Sequence, residues 1–368
     1  MGETGGRGEG SFLRRWGRRG LLGLGVLLGV GLLLLVATPL GRYLLRAGYE
    51  EARILLARRS IGEMVRDSTV DGETREKLRL VLAARAFAVD SLGLPAGETF
   101  TQFTQLETDT LVLVLSGARP DWLEPVLWRF PIVGRLPYKG FFRLADALAA
   151  ERELREKGFD TYLRPASAFS TLGWFNDPLL STTLAQDSLD LVNTVIHELT
   201  HNRYFAAGDA SYNESFANFV GARGAEAFFR SRGDSVRAAR TAARWDDERV
   251  LAAYWARLYG RLDSTFRAHP GDSLRERRIA LRDSLYGAAR EELRTSVAPQ
   301  WKTIAPRYAD LVRLDNAAVL ARRVYLTEIE RFEAVYAAAG RELRPVVDTL
   351  VLRHRQGRWH TPTKAAAR

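Results

Sequence analysis

From Leu21 to Leu40 the chain reads LLGLGVLLGVGLLLLVATPL, without one charge. Twenty helical residues at about 1.5 Å each span about 30 Å, the hydrocarbon thickness of a bilayer, so this stretch is predicted to cross a membrane. A cleaved signal peptide is the alternative, with a weak small-x-small site at Val36-Ala37-Thr38. No later stretch is apolar for long enough to span again. Further on, GRYLLRAGYEEARILLARRS and TREKLRLVLAARAFAVDSLGL carry apolar positions at helical spacing, so residues 41–93 are predicted as helices. DTLVLVLSG and PVLWRFPIVG are short β-type runs bounded by Gly and Pro, and FDTYLRPAS reads as another strand. Between them RLADALAAERELREKG is an amphipathic helix with Gly158 at its C-cap. From Ser188 onward the pattern is almost wholly helical, and Ser273 followed by Glu276 reads as a capping box opening one late helix.

This pattern predicts an α+β chain. A transmembrane helix leads into a helical segment, then a small mixed β-sheet with helices, then a mostly helical C-terminal half. The expected organisation is a basic cytoplasmic N-terminus over 1–20 and an anchor over 21–40. An ectodomain follows over 41–353, with a helical and sheet part to 187 and a helical part from 188. A flexible basic tail closes the chain over 354–368. Arg14, Arg15, Arg18 and Arg19 precede the apolar run, which favours a cytoplasmic start and an extracytoplasmic remainder on the inner membrane.

Composition narrows the chemistry. At 368 residues and 46 % apolar the chain can bury a real core. It has no cysteine, which excludes disulfides, thiolate ligands, a cysteine nucleophile and a lipid-modified cysteine. The net charge of +10 comes from arginines scattered among acids, as in RELREKGF, so nucleic-acid binding is not expected.

The segment VIHELTHNRYFAAGDASYNESFANFVG, residues 195–221, holds two of the five histidines. On a helix from Ser188 to about Tyr204, Val192, Val195, Ile196 and Leu199 form one buried stripe. His197 and His201, at i and i+4, project side by side from an adjacent face and can hold one zinc ion. Glu198 is badly placed as a ligand but well placed to take a proton from an attacking water. A third ligand is still needed. Ala207 stands where a third histidine would stand, and His269, His354 and His360 lie far downstream. That leaves a carboxylate, Asp209 or Glu214. Glu214 also reads as the partner of Ser211 in a capping box. Yet Glu214, Ala217, Asn218 and Gly221 share one face, whose small residues would let another helix come close. Asn218 would then support a histidine ring by hydrogen bonding.

HELTH and NESFA, together with FPIVGRLPYKGFF at 130–142, STLGWFNDPLLST at 170–182, GYEEARILLARRSI and NAAVLARRVY, resemble the putative aminopeptidase family of bacterial envelope proteins. The likeness covers roughly residues 41–345. It implies a zincin-like fold of the glutamate-ligand kind, with His197, His201 and Glu214 as zinc ligands and Glu198 as the catalytic carboxylate. STLGWF would border the cleft where a peptide substrate pairs by its backbone. Trp174 and Phe175 serve either that border or the core, and Tyr325 either an oxyanion or helix packing. Many relatives carry a lipobox cysteine and a cysteine within the FPIxGxxPYxG motif; this chain has neither, and Arg135 takes the latter place. The expectation is a membrane-anchored zinc aminopeptidase. The alternatives are an endopeptidase of the same mechanism and a non-catalytic envelope scaffold. The oligomeric state is not legible.

Overall fold

A computed structural model of the chain describes residue 30, residue 33 and residues 36–107, 112–130, 134–166, 178–323 and 327–359. Most of the expected anchor, the STLGWF stretch with Trp174 and Phe175, Tyr325 and His360 lie outside the described residues. Among the described residues no helix is long and apolar enough to cross a membrane. The chain divides into two compact units, Met1–Ala57 and Arg58–Arg368. In the first, α1 (Pro39–Leu56) starts where Thr38 Oγ1 accepts from the N–H of Gly41 at 2.9 Å, with Pro39 in the first turn. Thr38 satisfies one orphan donor, and proline needs none there.

The second unit carries β1 (Arg59–Ser60), α2 (Ile61–Arg66), α3 (Gly72–Asp90), β2 (Gln102–Thr104) and β3 (Val112–Ala118). Then come β4 (Trp128–Phe130), β5 (Gly134–Leu136), β6 (Tyr138–Phe141), α4 (Leu144–Glu156), β7 (Asp160–Ala166), β8 (Leu179–Leu180) and α5 (Ser181–Leu184). The rest is helical: α6 (Ser188–Arg203), α7 (Ala210–Ser231), α8 (Ser235–Arg267), α9 (Arg275–Glu292), α10 (Asn316–Arg323), α11 (Ile329–Ala338) and α12 (Leu343–Arg355).

Among the described residues the strands form three small sheets rather than the one mixed sheet expected. The sheet β1-β2-β8 is mixed, with β2 parallel to β8 and antiparallel to β1. The sheet β6-β3-β7 is antiparallel, and β4 pairs with β5 alone. The pieces stay small because their strands are short. In the middle sheet Val114 stands opposite Arg164, and Ser116 opposite Tyr162. These two residues of β7 share a face, because side chains alternate along a strand. Helix α4 covers this sheet through Ala147 against Leu115 and Phe141. It stops at Gly158, whose φ of +79° suits glycine.

The main core joins α3, α6, α7, α11 and α12. A second core gathers the C-terminal half of α8 with α9 and the turns that follow it. Helix α8, 33 residues and so about 50 Å long, runs through both. The Ser273–Glu276 box does not form. A 3-10 turn over Asp272–Leu274 makes Leu274 the residue before α9, with no side-chain cap bond. Within the stretch expected as a tail, α12 continues to Arg355 and Trp359 is only 2 % exposed.

Candidate metal centre

Asp187 starts α6. Its Oδ1 accepts from the N–H groups of Leu189 at 2.9 Å and Asp190 at 3.1 Å, an N-cap. Arg244 of α8 donates to the same oxygen at 2.9 Å and to Asp190 at 2.6 Å, which ties the two helices. Val192, Val195, Ile196 and Leu199 are all fully buried, as the stripe predicts. Burying each is worth about 1.5–3 kcal/mol, and together they fix which face of α6 looks outward. That rotation leaves His197 and His201 half-buried toward α7.

Small residues bring α7 close. A Cβ on Gly221 would stand 2.3 Å from Asn193 Oδ1 and 3.2 Å from His197 Cβ. One on Gly224 would stand 2.9 Å from Ile196 Cγ2. The turn between the helices is pinned by Asn213. Its amide nitrogen donates to the carbonyl of Ala206 and its oxygen accepts from the N–H of the same residue, each at 2.8 Å.

Glu214 does not cap its helix. The N-cap of α7 is Asp209, whose Oδ1 accepts from the N–H of Tyr212 at 3.0 Å, so the Ser211–Glu214 box does not form. The carboxylate faces the rings instead. Glu214 Oε2 is 3.7 Å from His197 Nε2, Oε1 is 3.8 Å from His201 Nε2, and the two Nε2 atoms are 3.3 Å apart. Tetrahedral ligands at about 2.0–2.1 Å from zinc stand about 3.3–3.4 Å from one another. The histidine pair has that spacing, and the glutamate needs only a small closure. These three ligand atoms lie within 4.8 Å of one another and could hold a metal ion; no other such group occurs among the described residues.

Electrostatics agree with that reading. Burial pulls the His197 imidazole down, but contact with Glu214, the charges of Glu198 and Glu214, and Asn218 leave it above the usual histidine value. Burial, then the charge on His197, pushes His201 down to about 4. Burial lifts Glu214, yet His197, His201 and Arg164 leave it below the usual carboxylate range. His201 thus keeps a free lone pair at neutral pH, the form a metal binds. Its Nδ1 is buried with no partner among the described residues.

The other candidates separate cleanly. Glu198 is half-buried on α6 and acts on His197 by charge, outside the three-atom group. Asn218 is a polar neighbour of the His197 ring. Asp209 is engaged elsewhere: its Oδ2 is 3.1 Å from His354 Nε2, and His354 Nδ1 is 2.8 Å from Tyr204 Oη. Among the described residues, no fourth His or carboxylate joins the group.

Beside the metal group, Asn193 and Asn218 line a cavity of about 330 Å³ with Tyr162 and Arg164 of β7, Trp245 and Glu248 of α8, and Arg322 of α10. Arg164, Glu248 and Arg322 were not expected from the sequence, since they come from segments far apart along the chain.

A histidine pair on one helix and a glutamate on the next, beside a polar cavity in a mostly helical α+β fold, make this a candidate metal-dependent protein of the His-His-Glu kind. Residues 42–353 match the putative aminopeptidase family, and the chain belongs to that family. No curated protein and no solved structure matches it.

Proposed function

We propose that the chain is a zinc-dependent aminopeptidase, held at the inner membrane by its N-terminal segment with the catalytic region outside the cytoplasm. The observation that carries the reading is the convergence of His197 Nε2, His201 Nε2 and a Glu214 oxygen on one point, in a chain of an aminopeptidase family. The donor set suits zinc: two imidazoles and a carboxylate, with no thiolate. Bound there, zinc supplies Lewis acidity, making water acidic near neutral pH and polarising a peptide carbonyl. Glu198 takes the proton from the attacking water and returns it to the leaving amine. Asn218 orients the His197 ring.

The test is purified protein assayed for bound zinc and for cleavage of a free peptide and its N-acetylated form. Stoichiometric zinc and cleavage of the free peptide alone are expected. Glu198→Gln should keep its zinc and lose about 100- to 10,000-fold in kcat. Zinc without hydrolysis of either peptide would leave a scaffold, and equal cleavage of both would leave an endopeptidase. For the location, a spheroplast treated with external protease should lose the region after Leu40, and an intact chain there would reject it.

A further inference from the structure

We propose that Glu248, in the cavity beside the metal group, binds the protonated α-amine of a peptide and so restricts cleavage to free N-termini. This deepens the peptidase reading and rests on it for the link to cleavage.

Three acids, Asp246, Asp247 and Glu248, follow one another on α8. Asp247 is buried and accepts from the N–H of Lys302 at 2.6 Å, the N–H of Thr303 at 2.7 Å and the Thr303 hydroxyl at 2.6 Å. Asp246 pairs with Lys302 Nζ at 2.5 Å. Both thus hold the turn after Trp301 in place. Glu248 faces the other way, into the cavity, and makes no hydrogen bond or ion pair among the described residues. Its side chain is exposed to solvent through the cavity, and its carboxyl lies above the usual range, with crowding by neighbouring protein as the first cause, against the pull of Arg322. An exposed carboxylate on the cavity lining is open to a cation from solvent, and a charge-assisted hydrogen bond there is stronger than a neutral one.

The cavity's two guanidinium groups are already engaged. Arg322 Nη2 donates to Tyr162 Oη at 3.2 Å, and the charge of Arg164 bears on Glu214. They leave Glu248 as the seat for a positive group and offer donors to peptide carbonyls. The location fits a chain end. Asn193, on the cavity wall, precedes His197 by one turn of α6, about 6 Å along the axis, on the order of one to two extended residues. An α-amine is largely protonated at neutral pH, its unperturbed pKa being about 7.7–8.0.

The experiment uses full-length, zinc-loaded Glu198→Gln protein and calorimetric titration with trialanine amide and N-acetyl-trialanine amide. The free peptide is expected to bind at least about tenfold more tightly. Adding Glu248→Gln should cost the free peptide about 10- to 100-fold and leave the acetylated one unchanged, with the same zinc content. Glu248→Asp, which keeps the charge, should retain the preference, so a loss in Glu248→Gln is not unfolding. Equal binding of the two peptides, or a preference indifferent to Glu248→Gln, would overturn the proposal. Binding that follows Glu248 in a wild-type protein that hydrolyses nothing would uphold it and reject the peptidase reading. Hydrolysis of free peptides that ignores Glu248 would do the reverse.

Discussion

Asn218 and Glu214 stand one turn apart on α7, and their loss should be felt differently by a metal. Asn218 is a polar neighbour of the His197 ring, so Asn218→Ala is expected to weaken zinc affinity by about 10- to 100-fold. Glu214→Ala removes a ligand and should weaken it further. Competition against a chromophoric chelator measures both. The two rings also set a pH dependence, because a metal binds only deprotonated imidazole. His197 sits above the usual histidine value and His201 near 4. As pH falls through the raised value, one proton competes with zinc; a second competes only near pH 4. A titration from pH 8 to 4 should therefore show affinity falling with a slope of one proton per unit over most of the range. A slope of two near pH 6 would contradict the assignment.

Glycine decides how closely α6 and α7 can approach. Gly221→Ala would drive its methyl into Asn193 and the α6 backbone, the latter at 3.0 Å, and force the helices apart. Both stability and zinc affinity should fall, since Glu214 moves with its helix. Gly260 of α8 has nothing within 4 Å, so Gly260→Ala should instead add about 0.4–1 kcal/mol. Chemical denaturation of the two variants supplies the comparison. This level of structure was largely legible in the sequence. Apolar spacing placed α6 almost to the residue, and the small face of α7 foretold the close approach. Caps were read less well. Ser211 lost to Asp209 and Ser273 capped nothing, because a serine followed by a glutamate three residues later also arises inside a helix or a turn. The sheet was misjudged for a related reason: strands as short as Arg59–Ser60 and Leu179–Leu180 carry no periodicity. The cavity was beyond sequence reading altogether, since Tyr162, Glu248 and Arg322 meet only through the packing of β7, α8 and α10.

Across the second unit, the C-terminal helix is part of the core rather than an appendage. Val346, Val347 and Leu350 of α12 are buried in the same cluster as the α6 stripe. Beyond the helix, Trp359 lies with its ring centroid 4.3 Å from that of Phe332 and 5.4 Å from that of Tyr212, under the guanidinium of Arg331. Tyr212 is in the first turn of the helix that carries Glu214. Trp359→Ala should cost about 3–5 kcal/mol, read by denaturation, although no sequence pattern marked the residue. The bonds of Asn213 to Ala206 and of Asp209 to Tyr212 hold the turn before Glu214 through protein groups alone. On the proposed reading, zinc would find its donors held by these bonds instead of assembling them. Stripping it with a chelator should leave far-ultraviolet dichroism intact and lower the melting temperature only as far as mass action requires, with full recovery when the ion is returned.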